Sequence, residues 1–296
     1  MDDTRLSDAL ATAQDSHEER PFVPEQIESI MGSASRYIRD HFSRYWPSFV
    51  PLFIWILWLA YLLLERSVFS LVALTFIWLP ILIALVPFVM AMGEVKKEFM
   101  QQFAAANGYT YAPSSTCDDL HGFIFSYGND RKVSDVVTGQ FNGFPFSLFT
   151  YSFGFDNNEG HELFIFCVMK IQCNIALPEV ILESRNHPYM PPLTPLHHNA
   201  TNETVQLEGD FNQYFRLFAK KGNEVNVLEA LTPDVMEDLI DYAKRFGMEM
   251  AGRDIFIYDG VPIRKKEDIY ALYGFAKLLV EKVIPFWHMS DGDTAS

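Results

Sequence analysis

Residues 46–64 read WPSFVPLFIWILWLAYLLL, residues 67–93 read SVFSLVALTFIWLPILIALVPFVMAMG, and neither stretch holds a charged side chain. About 20 apolar residues at 1.5 Å per helical residue match the ~30 Å hydrocarbon core of a bilayer. Two such runs, separated by Glu65 and Arg66, predict an antiparallel transmembrane helical hairpin over 47–93. A core helix of a water-exposed protein is usually shorter and keeps a polar face. A signal peptide fits poorly, because the first run starts late, is long and lacks a small-residue cleavage site.

The flanking cations predict an orientation. Arg36, Arg39 and Arg44 precede the first run and Lys96 and Lys97 follow the second, so the positive-inside rule places both termini in the cytoplasm of a multi-pass inner-membrane protein. Three cysteines (Cys117, Cys167 and Cys173) are an odd set suited to a reducing compartment. The Asn199 and Asn202 sequons would matter only in a secretory lumen. Neither run contains Asp, Glu, Lys, Arg or His, so no ion ring or proton relay is visible. Pro80 and Pro87 are expected to bend the second helix.

Working outward, residues 1–46 divide into an acidic tail and an amphipathic stripe (Ile27, Ile30, Met31, Ala34, Tyr37, Ile38, Phe42, Tyr45). That stripe is expected to lie along the bilayer surface, with packing on the downstream domain as the alternative. Residues 94–296 form the cytoplasmic domain. Asn107-Gly108 ends its first helix, and Asn142-Gly143 between VSDVVTGQF and FPFSLFTYSFGF marks a β-hairpin, because a tight turn needs positive φ at both central residues. ELFIFCVMKIQ follows as a third strand, apolar on both faces and therefore central. Thr232-Pro233-Asp234 opens a helix that Gly247 is expected to close. MEMAG and DIFIYDG form a second hairpin, and 266–284 a final helix. The fold class is α+β: a transmembrane hairpin followed by an antiparallel sheet with packed helices.

The 296 residues carry 38 acidic and 23 basic side chains, a net charge of −15, which argues against a nucleic-acid partner because phosphate binding needs clustered cations. No phosphate-binding glycine loop and no nucleophile elbow is present. His161-Glu162 begins like a zinc-protease helix but lies in a strand. His187, His197 and His198 fall in the Pro-rich segment 186–199, where adjacent histidines point to opposite sides. Asp118 and Asp119 are read as capping or preceding a short helix (DDLHGFIF). No catalytic, cofactor-binding or metal residue is assigned, and no cofactor is expected.

The hairpin, KKEFMQQFAAANGY at 96–109, GQFNGFPFSLFTY at 139–151, LEGDFNQYFRLF at 207–218 and LTPDVMEDLID at 231–241 resemble a group of uncharacterised bacterial two-span inner-membrane proteins with a cytoplasmic α+β domain. These motifs are turn, cap and core residues, so the resemblance implies architecture and location and no catalytic residues. The functional expectation is a membrane-anchored, non-enzymatic binding or scaffold domain. Its partners would be the lipid bilayer together with a protein or a second copy of the chain as a homo-oligomer. A sheet edge or the segment 188–195 would serve as the capture surface. One alternative is an enzyme acting on a lipid or other membrane-proximal substrate, which requires groups such as His121 and Asp118 to converge in a pocket. The other is a subunit of an oligomeric pore or transporter.

Overall fold

A computed structural model describes residues 30–64, 78–126, 128–157, 160–185, 202–207 and 209–285. Helices α1 (Ile30–Asp40), α2 (Phe42–Leu64) and α3 (Trp78–Ala106) precede strands β1 (Thr110–Ser115), β2 (Asn129–Phe141), β3 (Phe144–Asn157) and β4 (Gly160–Gln172). Then come β5 (Val180–Ser184), β6 (Asn202–Val205), the one-turn α4 (Phe211–Tyr214), β7 (Phe215–Lys220), α5 (Glu224–Ala230) and α6 (Pro233–Tyr242). Strands β8 (Gly247–Ala251) and β9 (Asp254–Asp259) and helix α7 (Lys266–Leu278) complete the order. Contacts divide the chain into two units. A helical unit runs up to Gln102 and includes Arg264–Lys266, and a sheet unit contains Phe103–Ile263 and the residues from Glu267.

Among the described residues, no helix is long and apolar enough to cross a membrane. This overturns the transmembrane hairpin over 47–93, and with it the fold class built on that hairpin and the multi-pass inner-membrane placement. Freedom from charge is a weaker condition than the apolar length a bilayer demands. Arg44, Pro47, Ser48 and Pro51 occupy the first part of α2, leaving 52–64 as its unbroken apolar stretch. In α3, Glu94, Lys96, Lys97 and Glu98 follow the apolar residues in the same helix.

Within the helical unit, the amphipathic stripe also finds a different partner. Ala34 and Tyr45 are buried with Ala91, and Tyr37, Ile38, Phe49, Phe88 and Met92 pack around them. Ala34, Tyr37, Ile38 and Tyr45 of the stripe thus pack with Phe88, Ala91 and Met92 of α3. The break at His41 between α1 and α2 keeps its hydrogen bonds, since the His41 amide donates to the Tyr37 carbonyl at 2.9 Å.

In the sheet unit nine strands form one antiparallel sheet in the order β1-β2-β3-β4-β9-β8-β5-β7-β6. The Asn142-Gly143 turn holds φ of 48° and 79° and pairs Phe141 with Phe144, as tight-turn chemistry demands. β4 is central, between β3 and β9. Its second face is covered only from Cys167 onward: Met169 and Ile171 are buried, whereas Leu163 is 63% exposed. Thr232 caps α6, its Oγ1 accepting from the Val235 amide at 3.5 Å.

Strand alternation divides the core in two. One face carries Phe149, Tyr151, Phe153, Phe166, Val168, Phe256 and Tyr258, with Ile124 and Phe125 of a short 3-10 turn, Phe123–Ser126, packed on it. Phe125 meets Tyr151 and Phe256 edge-on, ring centroids 4.9 Å apart in both cases, a favoured aromatic geometry. The other face carries Val180, Leu182, Leu217, Met248 and Met250 against Val227 of α5, Leu239 of α6, and Leu279 and Val283 beyond α7. Tyr273 of α7 packs edge-on against Phe103, Phe141 and Phe146.

Gly247 does not close α6, which ends at Tyr242. It opens β8 opposite Tyr258, and a Cβ there would sit 2.2 Å from the Tyr258 ring. Because Tyr258 is fully buried, the ring has nowhere to retreat. Gly247→Ala is therefore expected to destabilise the sheet unit by about 1–3 kcal/mol, the usual cost of overpacking. The midpoint of urea denaturation measures this, and an unchanged midpoint would refute the contact.

Candidate functional site

β8 reads GMEMA, so Met248 and Met250 point to the helices while Gly247 and Glu249 share the aromatic face of the sheet. Glu249 lies opposite Phe256 on β9 and Ile181 on β5. Its side chain is buried and takes the backbone N–H groups at the start of the 3-10 turn. Phe123 N–H donates to Oε1, and Ile124 N–H lies 3.5 Å from Oε2. A carboxylate suits this position because the first amides of a helical turn lack partners within it. Gly122 permits the approach, since a Cβ there would lie 3.0 Å from Glu249 Oε2 and from the Phe125 ring.

The same segment is tied down from the other side. Lys170 of β4 pairs with Asp254 of β9 at 2.9 Å, donates to the Asp119 carbonyl at 3.3 Å and lies 5.8 Å from the centre of the Phe256 ring. Asp254 is buried. One of its oxygens, Oδ2, faces Lys170, whereas Oδ1 is buried with no hydrogen-bond partner among the described residues.

Between these anchors opens a cavity of about 630 Å³. Glu249 and Asp254 are its buried charged residues, joined by Ile181 and Phe218. His121, Ser126, Gln172, Glu179 and Arg253 also line it and are exposed. The rim is formed partly by the β8–β9 turn, where Gly252 supplies the positive φ (65°) of a tight hairpin. The Arg253 carbonyl accepts from the Cys173 amide at 2.7 Å, which holds that turn against the chain leaving β4.

Burial, the largest influence, pushes the Glu249 carboxyl up to about 7; the Phe123 and Ile124 amides pull it down and Glu179 raises it. Tyr258 is raised by burial and by Glu249 and Glu183. Cys173 is pushed up to about 12 by burial, with Asp254 adding to it. It is a buried inert thiol, not a nucleophile.

The sequence readings divide at this site. His121 reaches the cavity, but Asp118 does not line it, so the pair on which the enzyme reading depends does not converge there. Asp118 and Asp119 belong to a turn before the 3-10 segment, which starts at Phe123. His187, His197, His198 and the segment 188–195 lie outside the described residues. Among those that are described, no cluster of His, Cys, Asp or Glu is placed to hold a metal ion. Glu249 and Asp254 went unnoticed in the sequence. The available signal was a lone carboxylate between two methionines in a strand, a position that burial makes costly and therefore informative.

No protein-family model and no curated protein matches the chain. Among solved structures, the mycobacterial trehalose monomycolate transport factor A, TtfA, matches with a TM-score of 0.44 and 14% identity. The match covers 62% of this chain and 93% of that one. A likeness at that level carries no argument about activity.

The raised Glu249 carboxyl makes stability depend on pH. It binds a proton more tightly folded (about 7) than at its ordinary value of 4.5. Its contribution is therefore fully present below about pH 4.5 and is lost as pH rises through about 7, an effect on the order of 3 kcal/mol. Glu249→Gln keeps the shape without the charge, so its melting temperature is expected to lose that part of the decline. Parallel pH profiles of the two proteins would count against the assignment.

Proposed function

We propose that the chain is a non-catalytic binding domain whose ligand occupies the cavity between the sheet and the 121–126 segment. The observation that carries this reading is the cavity itself, whose lining includes the buried acids Glu249 and Asp254. The volume, about 630 Å³, falls in the range of small-molecule pockets.

The groups that could do chemistry there are bound to structural partners. The Ser126 hydroxyl donates to the Phe123 carbonyl at 2.6 Å, Glu249 takes two backbone amides, and Asp254 pairs with Lys170. A nucleophile needs an adjacent base that is free to take its proton. These bonds favour holding a ligand over transforming one.

Nuclear magnetic resonance tests the proposal directly. Titrating the isotope-labelled protein with a mixed set of small cations, anions and neutral polar molecules is expected to move the amide signals of 121–126 and 249–254 together. A set that leaves both segments unmoved, or moves signals only elsewhere, would overturn the binding reading.

A further inference from the structure

We infer that the open edge of β4, centred on Leu163, is where a second copy of this chain pairs strand to strand about a two-fold axis. This surface is separate from the cavity, whose lining includes no residue of 160–166. Ladder lengths create the edge. β3 pairs with β4 from Gly160 to Ile171, whereas β9 pairs with it only from Cys167 to Gln172. The stretch before Cys167 therefore has a strand on one side alone among the described residues. A strand with an open side presents a row of main-chain donors and acceptors to a chain that can lie beside it.

The outer edges of the sheet are guarded, and this one is not. β1, at one end of the strand order, reads TYAPSS and carries Pro113, which cannot donate to a ladder. β6, at the other end, is only Asn202–Val205, and a very short edge offers little to pair with. In β4, Leu163-Phe164-Ile165-Phe166 is apolar throughout, and its pairing with β3 runs residue for residue with no bulge. The stretch is also held in place. Phe164 and Phe166 stack on Phe153, ring centroids 5.3 and 6.0 Å away. At the tip His161 Nδ1 lies 2.8 Å from Asp156, which accepts from Asn129 at 3.1 Å. These contacts tie β4 to β3 and β2, so little ordering entropy is left to lose on pairing.

The edge fits its own copy. A strand that meets itself about a two-fold axis runs antiparallel to itself, which continues the pairing of β4 with β3 and β9. The open stretch from Gly160 to Phe166, roughly 24 Å long, ends where β9 begins, and its copy has the same length. Centred on Leu163, the pairing sets Leu163 against Leu163 and Ile165 against His161 on one side of the sheet. On the other side Glu162 meets Phe164, so no acid faces an acid. Leu163 is 63% exposed and Ile165 38%, and both leave water on pairing. One strand edge covers less than the roughly 800 Å² per partner of a standard interface, so the dimer is weak, with a Kd on the order of 10 μM.

Sedimentation velocity of the full chain, from about 1 to about 200 μM, is expected to show a monomer passing into a dimer across that Kd. Hydrogen exchange at 160–166 is expected to slow severalfold in the dimer. Leu163→Lys sets two like charges against each other at the centre of the contact and is expected to weaken the dimer about tenfold or more. Its side chain is exposed, and unchanged exchange in the rest of the sheet would show that the fold is kept. Leu163→Ile keeps the apolar contact and is expected to dimerise as the unaltered chain does. A chain that stays monomeric throughout would overturn the proposal and leave the edge to a different protein. So would a dimer that Leu163→Lys leaves intact, or exchange at 160–166 that is equally slow at every concentration, the mark of an edge covered by its own chain.

Discussion

A buried carboxylate held by two backbone amides organises this part of the molecule. Glu249 points from β8 onto the aromatic face of the sheet, and the amides of Phe123 and Ile124 reach down to it. That contact supplies partners for the first donors of the 3-10 turn and holds Phe125 against Tyr151, Phe149 and Phe256. A different side chain could fill the volume, but it would leave two amides unpaired inside the protein, which is costly. The cavity exists because the segment is suspended between Glu249 on one side and the Lys170–Asp254 pair on the other.

This arrangement places charge where a folded protein normally avoids it. Two acids near the aromatic core are tolerated because one takes amides and the other takes an ammonium group. Elsewhere in the sheet unit, acids are satisfied more completely. Asp259 accepts from Arg245 Nε at 2.8 Å and from the Val261 amide at 3.1 Å, while Arg245 also reaches Asp268 of α7 at 3.3 Å. That cluster ties the chain before β8 to the end of β9 and the start of α7, with no unpartnered carboxylate oxygen recorded within it among the described residues. The cavity, and not the Arg245 cluster, has the room that a ligand needs.

Much of the sheet was legible because its signals are local. Asn142-Gly143 requires a hairpin wherever it sits between alternating strands, Thr232-Pro233 starts a helix by its own chemistry, and a strand apolar on both faces belongs in the middle. The site was not legible for the opposite reason. Glu249 and Phe123 are separated by 126 positions, and nothing in MEMA distinguishes a solvated glutamate from one beneath a turn. Gly247 misled for the same reason: a glycine after a helix resembles a cap, and only the Tyr258 ring on the neighbouring strand shows why a side chain is forbidden there.

The sequence alone determined the antiparallel hairpins, the helix starts, the central position of β4 and the absence of familiar catalytic motifs, because turns, caps and alternation depend on neighbours a few residues apart. Only the tertiary structure decided that Ala34, Tyr37, Ile38 and Tyr45 of the amphipathic stripe pack with α3, and that Glu249 and Asp254 line one cavity. These outcomes depend on which surfaces meet after strands distant in the chain have paired. Charge, length and burial combine there in ways that a linear pattern of greasy and polar residues does not encode.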